Sequence, residues 1–211
     1  MNRDYLLDSL DGFKGLVFRL LPDGVSRSIA CVPMTTDGPW EEADRAAFEK
    51  ALGFTSERVF WNPGELDNVP SSGNRSERSR WVDAVAAIDH RYLFLDPDVG
   101  FLTHHTGQSK KMVLITELDQ MLRSREALIV YRHQYWPKPA LSDVPQHAHP
   151  YVWHGLRMLR DAGLAAFAYQ SLAASFFFVS RQETGIEPFR TGLQNTFAAM
   201  SAEVVARRLV L

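Results

Sequence analysis

Residues 91–103, RYLFLDPDVGFLT, decide how this chain is read. The run from Arg91 to Leu95 is apolar without alternation, as expected of a strand buried on both faces of a parallel sheet. It ends in two carboxylates, Asp96 and Asp98, with the rigid Pro97 between them and Gly100 just beyond. Two acids this close repel unless a cation, a basic side chain or backbone N–H groups compensate. The stretch therefore announces both a central strand and a charged strand end. A turn whose acids cap the next segment is the structural alternative.

Helical and strand patterns alternate outward from this strand. Leu6, Leu10, Phe13, Val17, Leu20 and Leu21 recur at helical spacing over residues 4–20. Residues 28–34 read as a buried strand. Residues 39–53 read as a helix, with acids at its start and Gly53 at its end. A short strand is expected at 58–61, a long loop at 62–76 and a helix at 77–90. After the opening strand come a helix at 112–125, a strand at 127–133 and a helix at 150–163. Two strand-like runs at 164–172 and 175–181 suggest an antiparallel pair, and one long helix is expected over 187–209. Such alternation implies a single α/β domain over 1–211, a mainly parallel sheet with helices on both faces. Ligands of such sheets sit at the carboxyl ends of the strands. That rule places residues 35–40, 96–100 and 131–133 on one edge.

The chain has 211 residues, 45% of them hydrophobic, and a formal net charge of −2. That length supports one compact core, and the charge balance argues against a general polyanion binder. No apolar run reaches the roughly 20 residues that span a bilayer. Acids interrupt the first residues where a secretory signal would be apolar, so a cytoplasmic location is expected. The lone Cys31 excludes an internal disulfide and reads as a buried, inert thiol.

Several polar residues are candidates for chemistry at the predicted edge. Asp96 and Asp98 would suit Mg²⁺ or Mn²⁺ as hard oxygen ligands. Asp8, Asp11 and Lys14 fall near one stripe of the first helix, where a solvated face with local ion pairs is the plainer reading. His133 suits a base, a metal ligand or a phosphate contact. Lys110 and Lys111 would bring positive charge to a substrate phosphate. Thr36 and Asp37 lie in the loop after the first strand, and Glu117 in a helix further on. His147, His149 and His154 form a weak metal signal. Trp136, Tyr151 and Trp153 suit a partner-binding surface or packing over the sheet edge. Neither common Gly-rich phosphate loop, nor HExxH, nor a serine nucleophile elbow is present.

The segments LDSLDGFKGLVFRLL, VPMTTD, LFLDPDVG, SKKMVLITELDQM and IVYRH together resemble an uncharacterised bacterial family, over most of residues 4–135. Its pattern is D-x-x-D-x-x-K, then DPD-[NT]-G, a Lys-rich loop before an acidic helix, and a Y-x-H strand end. Asp8, Asp11, Lys14, Asp37, Asp96, Asp98, Lys110 or Lys111, Glu117 and His133 fall on its recurrent polar positions, and Val99 departs from it. More distantly, the order of elements resembles Rossmann-like ribosomal-RNA adenine-N6 methyltransferases. That resemblance implies a three-layer sandwich, S-adenosylmethionine as cofactor, and a nucleic acid or nucleotide substrate. Asp96 and Pro97 match the first positions of the motif that holds the target amine. Asp98 stands where that motif has a second proline, and only Gly38 answers its cofactor glycines. Three functions stay open: a methyltransferase-like enzyme, a metal-dependent phosphoester hydrolase or nuclease using Asp96 and Asp98, and a non-catalytic binding domain.

Overall fold

A computed structural model describes residues 9–36, 38–71, 73–97, 100–102, 112–133, 143–171 and 174–211. Six strands form the main sheet: β1 (Ile29–Pro33), β2 (Tyr92–Asp96), β5 (Ala127–His133), β7 (Ala174–Ser180), β6 (Ala165–Gln170) and β8 (Leu209–Val210), in that order across it. β1, β2 and β5 pair parallel. β7 is antiparallel to both β5 and β6, and β8 is antiparallel to β6. Four strands thus run one way and two the other. The expectation of a mainly parallel sheet holds for strand direction, whereas pairing is mixed, because the β6–β7 hairpin folds its second strand back between β5 and β6. A separate parallel pair, β3 (Gly100–Leu102) and β4 (Met112–Leu114), lies beyond the main sheet.

Helices cover both faces. On one, α1 (Ser9–Arg19), α3 (Glu42–Leu52) and α7 (Glu183–Thr196) enclose Cys31, Phe94, Ile129, Phe176 and Phe178. On the other, α4 (Arg75–Ala86), α5 (Ile115–Met121) and α6 (Pro150–Asp161) enclose Val32, Leu95, Val130, Phe177 and Val179. Successive strand residues alternate between these two cores, as the pleat requires. That both sets are apolar explains the unbroken runs in β2 and β5. A short helix, α2 (Asp23–Ser26), follows α1 and has Pro22 as its N-cap. No helix among the described residues is long and apolar enough to cross a membrane.

Four local expectations differ from the structure. Residues 58–61 form no strand. Val59 makes a single bridge to Cys31, next to a 3₁₀ turn at Ser56–Arg58. The loop expected over 62–76 contains a further 3₁₀ turn at Pro63–Glu65, and α4 already starts at Arg75, where the Asn74 side chain accepts from the Glu77 N–H. Residues 112–114 are strand rather than helix, because Glu117 Oε2 accepts the Leu114 N–H at 2.9 Å and starts α5 only at Ile115. The long C-terminal helix is broken. α7 ends at Thr196, whose hydroxyl donates to the Leu20 and Gly192 carbonyls, and Phe197 turns inward to stack on Tyr169. The chain resumes as α8 (Ala202–Arg208) and ends in β8.

Gly15 sets the approach of α1 to the rest of the domain. A Cβ there would lie 2.1 Å from the Ala51 carbonyl oxygen in α3. Backbone cannot yield as a flexible side chain does, so Gly15→Ala is an overpacking change that costs about 1–3 kcal/mol. We expect its urea midpoint to fall with unchanged slope. A midpoint equal to that of the parent chain would contradict this close crossing.

Candidate functional site

The register of the sheet aligns the strand ends. Pro33 lies opposite Asp96, and Leu95 opposite Val130. Asp96 shares the face of Tyr92 and Phe94, which is the α1 side. From α1, Lys14 extends over the end of the sheet. Its Nζ donates to Asp96 Oδ2 at 2.8 Å and to Asp11 Oδ1 at 3.0 Å. It also lies 4.3 Å from the centroid of the Tyr131 ring on β5. Exposure is 3% for Asp11, 4% for Lys14 and 1% for Asp96. Asp11 and Lys14, read as part of a solvated face, are therefore buried at the sheet edge. Their i, i+3 spacing is what lets them turn inward together. The apolar residues around them did not mark that inward turn.

The electrostatics follow from this burial. Burial alone would lower the pKa of Lys14, but the charges and hydrogen bonds of Asp96 and Asp11 together outweigh it and hold the ammonium above its ordinary range. Burial pushes the Asp96 carboxyl up, and Lys14 counters this in part. The Cys31 thiol, on the same face, is pushed far up by burial and then by the Asp96 charge, so it is inert as expected.

The other candidates fall in different places. Tyr131 carries its neighbour on that face, His133, at 5.0 Å between ring centroids in an edge-on contact. His133 therefore stands at the same edge as Asp96. Thr36 is half-buried in the loop after β1. Glu117 is buried on the opposite face, where Arg78 donates to both its oxygens at 2.8 and 2.7 Å. Arg78 also reaches the Pro70 and Met112 carbonyls. Glu117 is thus engaged in tying α4 to α5 and is not brought to Asp96. Asp8, Asp37, Asp98, Lys110, Lys111 and Trp136 lie outside the described residues. Tyr151 is buried and Trp153 half-buried in α6.

Two groups implied by the sequence can be tested against these residues. A divalent metal fits poorly beside Asp96, because the Lys14 ammonium already holds one carboxylate oxygen and would repel a second cation. Among the described residues no cluster of three or more His, Cys, Asp or Glu could hold a metal ion, which includes His147, His149 and His154. The loop after β1 is no ready cradle for S-adenosylmethionine. The Thr35 hydroxyl donates to the Asp67 carbonyl, the Thr35 carbonyl accepts from the Val69 N–H, and the Gly38 N–H donates to Asn68. These groups are spent on holding residues 67–69 against the sheet edge.

Sequence reasoning missed a cleft further along the same edge. It has a volume of about 590 Å³ and is lined by His147, His149, Gln170, Ser171, Arg207 and Arg208. Gln170 organises it. Its amide nitrogen donates to the His147 and Arg207 carbonyls, and its oxygen accepts from the His149 N–H. The arginines were hidden by the expectation of one continuous helix through 209. Only the strand pairing of Leu209 with Tyr169 brings them beside Gln170. A search of protein-family models, curated proteins and solved structures finds no match to this chain.

Removing one partner of a buried pair strands the other charge, at about 3–5 kcal/mol. Lys14→Met removes the cation that Asp96 and Asp11 share and is expected to cost at least that much. Asp96→Asn leaves Lys14 its bond to Asp11 and should cost clearly less. Urea unfolding of both variants checks this order. A loss below about 1 kcal/mol for Lys14→Met, as for an exposed pair, would contradict the buried cluster.

Proposed function

We propose that this chain is a Rossmann-like, methyltransferase-like enzyme that acts on a nucleic acid or nucleotide at the carboxyl edge of its sheet. The observation that carries the reading is charge placement. The chain is slightly acidic overall, yet Arg207, Arg208, His147 and His149 line one cleft on the edge that also bears Asp96. A cationic cleft on the same sheet edge as the Asp96 carboxylate, with β5 and β7 between them, suits a substrate with a phosphate backbone and an amino-bearing base. The arrangement of β2, the apolar β5 and the antiparallel β6–β7 pair agrees with the order of elements in the adenine methyltransferases. In this reading Asp96 accepts a hydrogen bond from the substrate amine. Lys14 acts through it, as a positioning residue that fixes the carboxylate.

A second reading, a non-catalytic nucleic-acid-binding domain, is favoured by the burial of Asp96. At 1% exposure its carboxylate is a lock between α1 and β2 before it is a substrate contact. The metal-dependent hydrolase draws no such support, given the ammonium on Asp96.

Fluorescence anisotropy with a labelled single-stranded oligonucleotide separates these readings when joined to a methyl-transfer assay with labelled S-adenosylmethionine. Binding should weaken with salt and fall about tenfold in an Arg207→Glu, Arg208→Glu variant. Transfer that is lost in Asp96→Asn while binding persists supports the enzyme. Binding without transfer in the parent chain supports the second reading. Absence of binding at low salt removes both.

A further inference from the structure

We propose that Arg132 and the hydroxyl of Tyr151 form a phosphate-binding site between β3 and the first turns of α6, on the sheet face opposite Lys14. Arg132 is next to last in β5 and shares the face of Leu128 and Val130. Its side chain makes no hydrogen bond and no ion pair with the described residues, and its Nη1 is buried without a partner. Its guanidinium lies 5.5 Å from the Phe101 ring and 5.7 Å from the Tyr151 ring. Tyr151 is only 5% exposed, and its Oη is likewise buried without a partner. The two orphaned polar groups thus belong to side chains in contact with each other.

Two glycines let the backbone pack closely against this arginine. Gly100, at φ +112°, passes so close that a Cβ would sit 2.7 Å from Arg132 Cγ. A Cβ on Gly155 would sit 3.1 Å from its Nη1. The nearby charges add to the imbalance. His154 is held below its ordinary pKa by burial and by the positive charges of Arg132 and Arg157. Arg157 is bonded to Asp143, which leaves that acid committed elsewhere. Burial lowers Arg132 to about 10, so it remains a cation at neutral pH.

Arg132 is half-buried, but an unpaired guanidinium with a buried Nη1 is still costly, and cation–π contact with two rings returns only part of that cost. A ligand anion would return more. The planar fork of arginine suits two oxygens of an oxyanion. A phosphate has further oxygens for the Tyr151 hydroxyl, whereas a carboxylate is used up by the fork. This site stands apart from the reading of Asp96, since inorganic phosphate carries no base or amine, and either idea can fail alone.

The test is thermal unfolding and calorimetric titration of the full chain with inorganic phosphate, at ionic strength matched with chloride and with acetate as the carboxylate arm. Phosphate should raise the midpoint and bind the parent chain, with acetate far weaker. Arg132→Met should unfold at a higher temperature than the parent, because an unpaired, half-buried charge is gone, and should bind phosphate at least tenfold more weakly. Tyr151→Phe should weaken binding several-fold. If Arg132→Met does not fold, Arg132→Lys provides the readout, since it keeps the charge and loses the fork, and its binding should fall by about tenfold. The proposal is overturned by no phosphate binding to the parent, by undiminished binding in Arg132→Met or Arg132→Lys, or by acetate binding as tightly as phosphate.

Discussion

A single ammonium group holds the working edge of this protein together. Lys14 Nζ bonds to an acid on its own helix and to one at the end of β2, and packs on a ring at the end of β5. Helix, central strand and neighbouring strand are thereby fixed to each other at one point. The constraint is strict because nothing there is solvated. An ion pair in water is cheap to lose, but removing one of three charges buried together leaves the others without that compensation. The close crossing of α1 on α3 at Gly15, one residue further on, sets the depth from which Lys14 reaches.

The two faces of the sheet carry different electrostatic solutions. On the α1 face a cation is shared by two carboxylates. On the α6 face Arg132 has aromatic rings and, among the described residues, no acid. Elsewhere on that second face the Arg78–Glu117 pair is bidentate and closed, with every oxygen of the carboxylate occupied. A closed pair of this kind organises helices. An open cation organises nothing by itself, which is why its surroundings point outward to a ligand. The edge thus offers a carboxylate, a lone guanidinium and the Arg207–Arg208 cleft along one border of the sheet.

Much of the fold was legible because the apolar runs are unambiguous. YLFL and ALIV read as doubly buried strands and are so in the structure, and the rule for strand ends put Asp96 at the carboxyl edge of the sheet, where it lies. Burial of the first-helix acids was not legible. Asp11 and Lys14 carry the same spacing as a surface ion pair, and only the long-range contact to Asp96, 82 positions away, separates the two. Residues 112–114 misled for a related reason, since three apolar residues before a helix read as its first turn. The bond from Leu114 to Glu117 decides otherwise. The strand-end rule put Arg132 at the edge, but neither its want of a partner nor the cleft at Arg207–Arg208 was legible, as an arginine's partners, or lack of them, are set by tertiary placement.

The central claim is that Lys14 is a buried cation held charged by Asp96 and Asp11. Its direct measurement is the pH titration of the Lys14 side chain by NMR, followed at its ε carbon. The account predicts an ammonium that stays protonated beyond the ordinary lysine range of about 10.4, and whose titration drops when Asp96 is replaced by Asn. The sign also fixes the linkage: stability from this group is complete below the unfolded lysine pKa and is lost as pH rises through the folded one. A Lys14 that titrates at or below the ordinary value, or that ignores the loss of Asp96, would contradict it.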